Sequence, residues 1–226
     1  MNSRNFDMSI AEKLHSIKNT LPGNVVLVAV SKTKPTEDLL VAYEAGQRVF
    51  GENKIQEMTQ KWEVLPKDIQ WHMIGHVQRN KVKYMAEYVD LIHGVDSLKL
   101  LKEINKQALK HNRTISCLLQ MHIAEEDTKF GLDQDELIAL VNDDEFKSLQ
   151  NIKIEGLMGM ATFTKDLEQV RREFKGLKTT FEGLKEQLPE IHVLSMGMSG
   201  DYTIAVDEGS TMVRIGSSIF GARNYN

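Results

Sequence analysis

The sequence predicts an α/β protein built as a single (β/α)8 barrel, the TIM-barrel architecture, with one additional helix at its N-terminus. Three observations carry this expectation. Eight short apolar runs are spread through the chain, at 25–31, 47–50, 70–74, 89–93, 114–122, 152–158, 191–194 and 211–215. Amphipathic helical patterns separate them, and strands alternating with helices form parallel sheets. No linker, repeat or shift in composition divides residues 1–226, and one barrel commonly occupies this length. An open, doubly wound sheet has the same alternation of elements, so counting does not by itself establish closure.

The elements follow in order. A helix is expected at about 8–20. The run "VVLVAV", Val25 to Val30, is unbroken and reads as a strand buried on both faces. Pro35 stops it, because the residue before a proline is pushed away from helix. "TEDLLVAYEAG" reads as the first crossover helix. In "SLKLLKEINKQALKHN", Leu98, Leu101, Ile104 and Leu109 lie near one face and are expected to point inward. Cys117 sits in the apolar run "TISCLLQM" and reads as a buried core thiol. "DLEQVRREFKGLKTTFEGLKEQL" is the longest helical pattern. Pro22, Pro66 and Pro189 each fall a few residues before a strand, where the preceding element must end.

Composition excludes several classes. The chain has 28 basic and 32 acidic side chains and a net charge of −4, which argues against nucleic acid as a partner. No stretch approaches a membrane span. The start "MNSRNFDMSI" lacks the apolar core of a secretory signal, and one cysteine allows no internal disulfide. The expected setting is the cytoplasm. With no exposed heptad or long apolar edge, the expected state is a monomer.

A barrel places its site at the C-terminal ends of its strands, and the chemically unusual residues gather there. Strand one ends in Ser31, Lys32, Thr33 and Lys34. "FGENKIQE" puts Glu52 and Asn53 on the loop after strand two. Strand seven gives "MGMSGDYTIAV", in which Ser199 reads as an N-cap with Asp201 in the first turn. Strand eight gives "RIGSSIFG", where Gly216 allows close backbone approach and Ser217 adds a hydroxyl. Loops after strands seven and eight commonly cradle phosphate in such barrels. A strand-end lysine across the mouth from a phosphate site suits Schiff-base chemistry. Sugar phosphates and pyridoxal 5′-phosphate (PLP) carry both a carbonyl and a phosphate. Arg214 fits the arginine some PLP sites set opposite the pyridine nitrogen, and fits a second phosphate equally. Met158 and Asn53 are placed to touch such a ring, although a methionine in a glycine-flanked strand also suits plain core packing.

Other features carry less. His72 and His76 are four apart on a strand end, not one helix face, so no metal site is expected. There is no G-x-S-x-G elbow, P-loop or strand-linked G-x-G-x-x-G. Lys129 in "EDTKFGL" reads as a rim charge.

Taken together, "AVSKTKP", "FGENKIQE", "WHMIGHVQRNK", "GLMGMAT", "SMGMSGDYTIAV" and "VRIGSSIFGAR" resemble the pyridoxal phosphate homeostasis protein family. These are single-domain PLP-binding proteins similar to the barrel domain of alanine racemase, and the likeness runs from about residue 8 to residue 223. The resemblance implies that Lys32 forms the Schiff base; strand parity alone does not separate it from Lys34. It further implies that Ser199, Gly200, Gly216 and Ser217 surround the phosphate and that Arg214 approaches the ring nitrogen. His76 is assigned no role. A carrier or regulator of vitamin B6 pools is implied, with no catalytic residues and with apo PLP-dependent enzymes as candidate recipients. The alternatives are a stand-alone amino-acid racemase, for which the barrel leaves no stretch to build a second domain, and a Schiff-base aldolase.

Overall fold

The computed structural model describes residues 8–126 and 130–222. Eight parallel strands pair in chain order and the last closes on the first, giving a barrel rather than an open sheet. They are β1 Val26–Val30, β2 Val49–Glu52, β3 Gln70–Met73, β4 Val89–Val95, β5 Ile115–Met121, β6 Ile152–Gly159, β7 Val193–Met198 and β8 Met212–Ile215. The seam pairs Val26 with Met212 through Ala29 with Ile215. All eight expected strands are present, in the expected places.

The helices lie outside. α1 (Ile10–Thr20) opens with a capping box in which Ser9 and Glu12 satisfy each other's backbone N–H groups. It packs against α2 (Thr36–Glu44) and α9 (Ser217–Phe220), the expected extra helix. α3 (Ile55–Val64), α4 (Leu98–Lys110), α5 (Gln134–Asn142), α6 (Asp144–Lys147), α7 (Leu167–Leu184) and α8 (Tyr202–Asp207) complete the layer. Between β3 and β4 a 3₁₀ helix, Arg79–Tyr84, replaces a full crossover helix.

Two apolar layers result. The larger lies between strands and helices and includes Phe50, Trp71, Phe174 and Phe181, with Cys117 fully buried as expected. The smaller fills the barrel's interior with Val28, Leu91, Leu118, Met158, Val193 and Met212. Gly51 belongs to the interior face: a Cβ there would lie 2.8 Å from Val28 Cγ1.

Three expectations are corrected. Leu109 is 59% exposed, because α4 turns Leu100, Leu101, Ile104 and Ala108 inward and Leu109 falls just beyond that stripe. Glu52 is not on a loop; it is the last residue of β2 and is fully buried. β7 runs to Met198, past the predicted end, because its glycine at 197 is accommodated at φ 96° within the strand. Lys129 lies outside the described residues.

Candidate functional site

The C-terminal ends of β1, β7 and β8 are contiguous, since β1 pairs with β8 and β8 with β7. This changes one element of the sequence reading. The strand-end lysines stand beside Gly216 and Ser217, across a strand seam, and not on the opposite side of the mouth.

β1 ends at Val30, so Ser31 to Lys34 form a turn instead of continuing the strand. Ser31 N–H donates to Gly51 O and Lys34 N–H to Ser31 O, each at 3.0 Å. Thr33 holds φ at 64°, a left-handed conformation costly for a β-branched residue. The side chain of Glu57 offsets this by accepting the Thr33 N–H at 2.5 Å. Glu57 is itself held by Lys61, which is 5% exposed and donates to Glu57 Oε1, Glu52 Oε1 (both 2.7 Å) and Ser31 O (2.8 Å). Ser31 Oγ donates to the same Glu52 oxygen at 2.6 Å. Burial pushes the Glu52 carboxyl above its usual pKa, outweighing the opposing pull of Lys61. The other Glu52 oxygen is buried with no hydrogen-bond partner among the described residues.

The turn separates the two lysines. Lys34 Nζ reaches outward to Phe220 O (2.8 Å) and Ala222 O (3.0 Å), tying the turn to the end of α9. Lys32 is half-buried and precedes the left-handed residue. Parity, the reason the sequence could not choose between them, does not apply to a turn.

At β8, Gly216 abuts β1 so closely that a Cβ would lie 3.0 Å from Val30 O and 3.2 Å from Val30 Cβ. Ser217 follows, exposed, as the first residue of α9. A four-residue helix leaves its first N–H groups without intrahelical partners. At β7 the N-cap of α8 is Asp201, not Ser199. The Asp201 carboxylate turns back to accept Met198 N–H at 2.5 Å and Asp201 N–H bonds Met198 O at 3.1 Å, closing a turn whose outer residues are Ser199 and Gly200. Gly200 has open space around its Cα, so nothing steric demands a glycine there.

Arg214 is 4% exposed and points into the barrel. Its Nη1 donates to Ser195 Oγ (2.5 Å) and Ser195 O (3.0 Å), and its Nη2 to Gly159 O (3.2 Å). Burial lowers its pKa to about 10, with the Asp201 charge opposing, which leaves it cationic at neutral pH. Met158 is fully buried in the interior cluster, while Asn53 is half-buried just after β2, its carbonyl 2.5 Å from where a Gly75 Cβ would sit.

Sequence reasoning missed His93 and Ser195, and treated His72 only as a metal candidate. All three are buried inside the barrel, with His72 Nδ1 3.0 Å from His93 Nε2 and His93 Nδ1 3.1 Å from Ser195 Oγ. The available signal was a polar residue inside an otherwise apolar strand, as in "LIHGV". His76 is exposed, stacked on Phe130. No cluster of three or more candidate metal ligands occurs among the described residues.

The donor set suits an anion joined to a carbonyl and a ring nitrogen: an amine, a buried guanidinium, serine hydroxyls and the N–H groups of two glycine-bearing turns. The model of the N-terminal domain of alanine racemase matches residues 8–224. The pyridoxal phosphate homeostasis protein of Vibrio alginolyticus is 41% identical over 210 residues, covering 91% of this chain and 89% of the relative. That of Escherichia coli is 37% identical over 212 residues, covering 91% and 88%. Among solved structures, PipY of Synechococcus elongatus with PLP bound superposes with a TM-score of 0.86 at 37% identity, covering 94% of this chain and 100% of PipY. An alanine racemase of Clostridium difficile shares the fold alone, with a TM-score of 0.78 at 17% identity over 96% of this chain and 58% of the racemase. By the extent of the family match and by these identities, the chain belongs to the pyridoxal phosphate homeostasis protein family, within the group defined by the N-terminal domain of alanine racemase.

Proposed function

We propose that this protein binds PLP and takes part in its intracellular homeostasis, holding it covalently through Lys32 without turning over a substrate. One observation carries the reading: at the β8–β1 seam the Lys32 turn stands beside the Gly216–Ser217 turn, with the buried Arg214 two residues before Gly216. The fit is favourable: lacking a Cβ, Gly216 approaches Val30 closely and brings the β8 turn against the strand that leads to Lys32. The solved PLP complex of PipY, at 37% identity, supports PLP as the ligand.

Each side chain has a definable task. Lys32 supplies the amine for the Schiff base. Ser199, Gly200, Gly216 and Ser217 supply hydroxyl and N–H donors for the phosphate. Asn53 borders the site at the adjacent strand end, and Met158 supports it from within the core. Arg214 faces the ring nitrogen as a donor that stays charged, so it bonds that nitrogen without giving it a proton. PLP, when bound, supplies an electron-withdrawing ring, and the ring draws electrons best when its nitrogen is protonated. An arginine partner therefore favours retention of the cofactor over chemistry on it. We place the protein in the cytoplasm as a monomer, with apo PLP-dependent enzymes as the receiving partners. No helix among the described residues is long and apolar enough to cross a membrane.

The test has two arms. Borohydride reduction and peptide mapping should place the pyridoxyl group on Lys32, and Lys32→Ala should lose the visible absorbance. Label on Lys34 would overturn the assignment. A panel of L- and D-amino acids should be neither racemised nor transaminated faster than by free PLP; faster turnover favours the racemase reading instead.

A further inference from the structure

The barrel's interior holds a polar chain that the cofactor turns alone do not explain. From one end it runs Arg214 Nη1 to Ser195 Oγ at 2.5 Å, Ser195 Oγ to His93 Nδ1 at 3.1 Å, and His93 Nε2 to His72 Nδ1 at 3.0 Å. His72 Nε2 then faces the Asp90 carboxylate at 3.6 Å. Arg214 and Ser195 belong to β8 and β7, and His93 and His72 to β4 and β3 on the far side of the lumen. Asp90, near the start of β4, is half in solvent at the opposite end of the barrel from the Lys32 turn.

Every hydrogen in this chain is determined by one fact. A guanidinium only donates. Ser195 Oγ therefore accepts from Arg214 and must place its own hydrogen on another acceptor; among the described residues that acceptor is His93 Nδ1. His93 then carries its proton on Nε2 and donates to His72 Nδ1. His72 in turn carries its proton on Nε2, facing Asp90. All bonds point one way, from the cation toward the carboxylate, and His93 is neutral. Protonating His93 would set donor against donor in a buried place, where an unmade bond is costly. Burial, and the nearby charge of Arg214, hold the His93 pKa well below its usual value, as a neutral ring requires. The chain is not a proton path to the site, because it ends on a group that does not release its proton near neutral pH.

We infer that His93, acting through Ser195, is a positioning residue for Arg214. The chain commits three of the five guanidinium N–H groups to the barrel wall (two on Ser195, one on Gly159) and leaves Nε–H and one Nη2–H for a ligand. With His93 accepting, the Ser195 hydroxyl keeps its lone pair toward Arg214; without it the hydroxyl turns and the fork swings. This rests on the proposed pairing of Arg214 with the ring nitrogen of PLP.

The experiment measures binding of PLP and of its analogue with carbon in place of the ring nitrogen, together with imidazole nitrogen NMR of the protein alone. The unaltered protein should prefer PLP by about ten- to hundredfold, the range of one charged hydrogen bond. His93→Phe and Ser195→Ala should bring that preference close to unity, while His93→Asn, whose amide oxygen replaces Nδ1 as acceptor, should restore most of it. The NMR spectrum should show His93 protonated on Nε2 alone, a readout independent of ligand and of the variants' folding. A preference undiminished in folded His93→Phe, or a His93 proton on Nδ1, overturns the positioning role. Equal binding of the two ligands by the unaltered protein would instead remove the ring-nitrogen pairing itself, and the inference with it.

Discussion

Single residues at the mouth differ in what they tolerate, and the differences are measurable. Gly216 sits 3.0 Å, by its virtual Cβ, from the carbonyl of Val30, whereas Gly200 has open space. Gly216→Leu should therefore weaken PLP binding by about one to two decades, the scale of a lost charge-assisted hydrogen bond. Gly200→Ala should cost only a few-fold, and titration of the cofactor-free protein with PLP distinguishes the two. Equal losses would mean that the phosphate rests on β7 rather than on the β8 turn. Cys117 gives a control of a different kind. Burial raises its thiol pKa, so the reactive thiolate is scarce. A disulfide reagent should modify it only after unfolding; rapid labelling of folded protein would contradict its place between β5 and the helices. The sequence made Cys117 legible because an apolar run states its own burial. It could not make the Lys32–Lys34 distinction legible, since that depends on the left-handed Thr33, a conformation no pattern of residue types announces.

At the scale of elements, the β1–α2 turn is held from outside by α3. Lys61 and Glu57 are one helical turn apart, and their bonds to Ser31 O and Thr33 N brace both sides of Lys32. Glu57→Ala removes the acceptor that holds Thr33, and should speed exchange of bound PLP several-fold while leaving the Schiff base on Lys32. Adding Thr33→Gly, which adopts the left-handed conformation without a Cβ, should recover about 1 kcal/mol of the lost stability by urea unfolding. Glu52 adds a pH signature. Its folded pKa is raised above the ordinary 4.5, so the folded state holds that proton more tightly than the unfolded chain. Its contribution is greatest below the unfolded pKa and is lost as pH rises through the raised value. The stability of Glu52→Gln relative to the unaltered protein should accordingly rise as pH climbs above the ordinary 4.5 and through the raised value; an unchanged difference would place the Glu52 pKa at its ordinary value. This network was only half visible in the sequence. "FGENKIQE" flagged Glu52 but placed it on the loop, when β2 runs on through Gly51, an inward-facing position whose Cβ would lie 2.8 Å from Val28 Cγ1.

For the molecule as a whole, eight apolar runs and their spacing located every strand, because strands buried on both faces leave continuous apolar runs. Closure was not legible. It depends on pairing between β1 and β8, the strands furthest apart in sequence, and no local pattern encodes a contact of that span. The polar chain through the lumen escaped for the same reason: His72, His93, Ser195 and Arg214 come from four strands, and only the closed barrel brings them together. Closure also fixes where a ligand acts on stability. The proposed PLP site straddles the β8–β1 seam, with Lys32 on one side and Gly216 on the other, and α1 packs against α9 just outside. Joining distant segments carries the largest loop-closure cost, so the seam is the natural place for the barrel to open locally. A ligand bridging it binds the closed state alone and stabilises it by about 2.7 kcal/mol at a hundredfold excess over Kd. For a chain of this size that corresponds to a rise in Tm of roughly 5–11 °C. Hydrogen exchange should then show the added protection concentrated in β1, β8, α1 and α9, with little in β4 and β5. Protection spread evenly around the barrel, or strongest at β4 and β5, would show that the cofactor does not act by holding the seam shut.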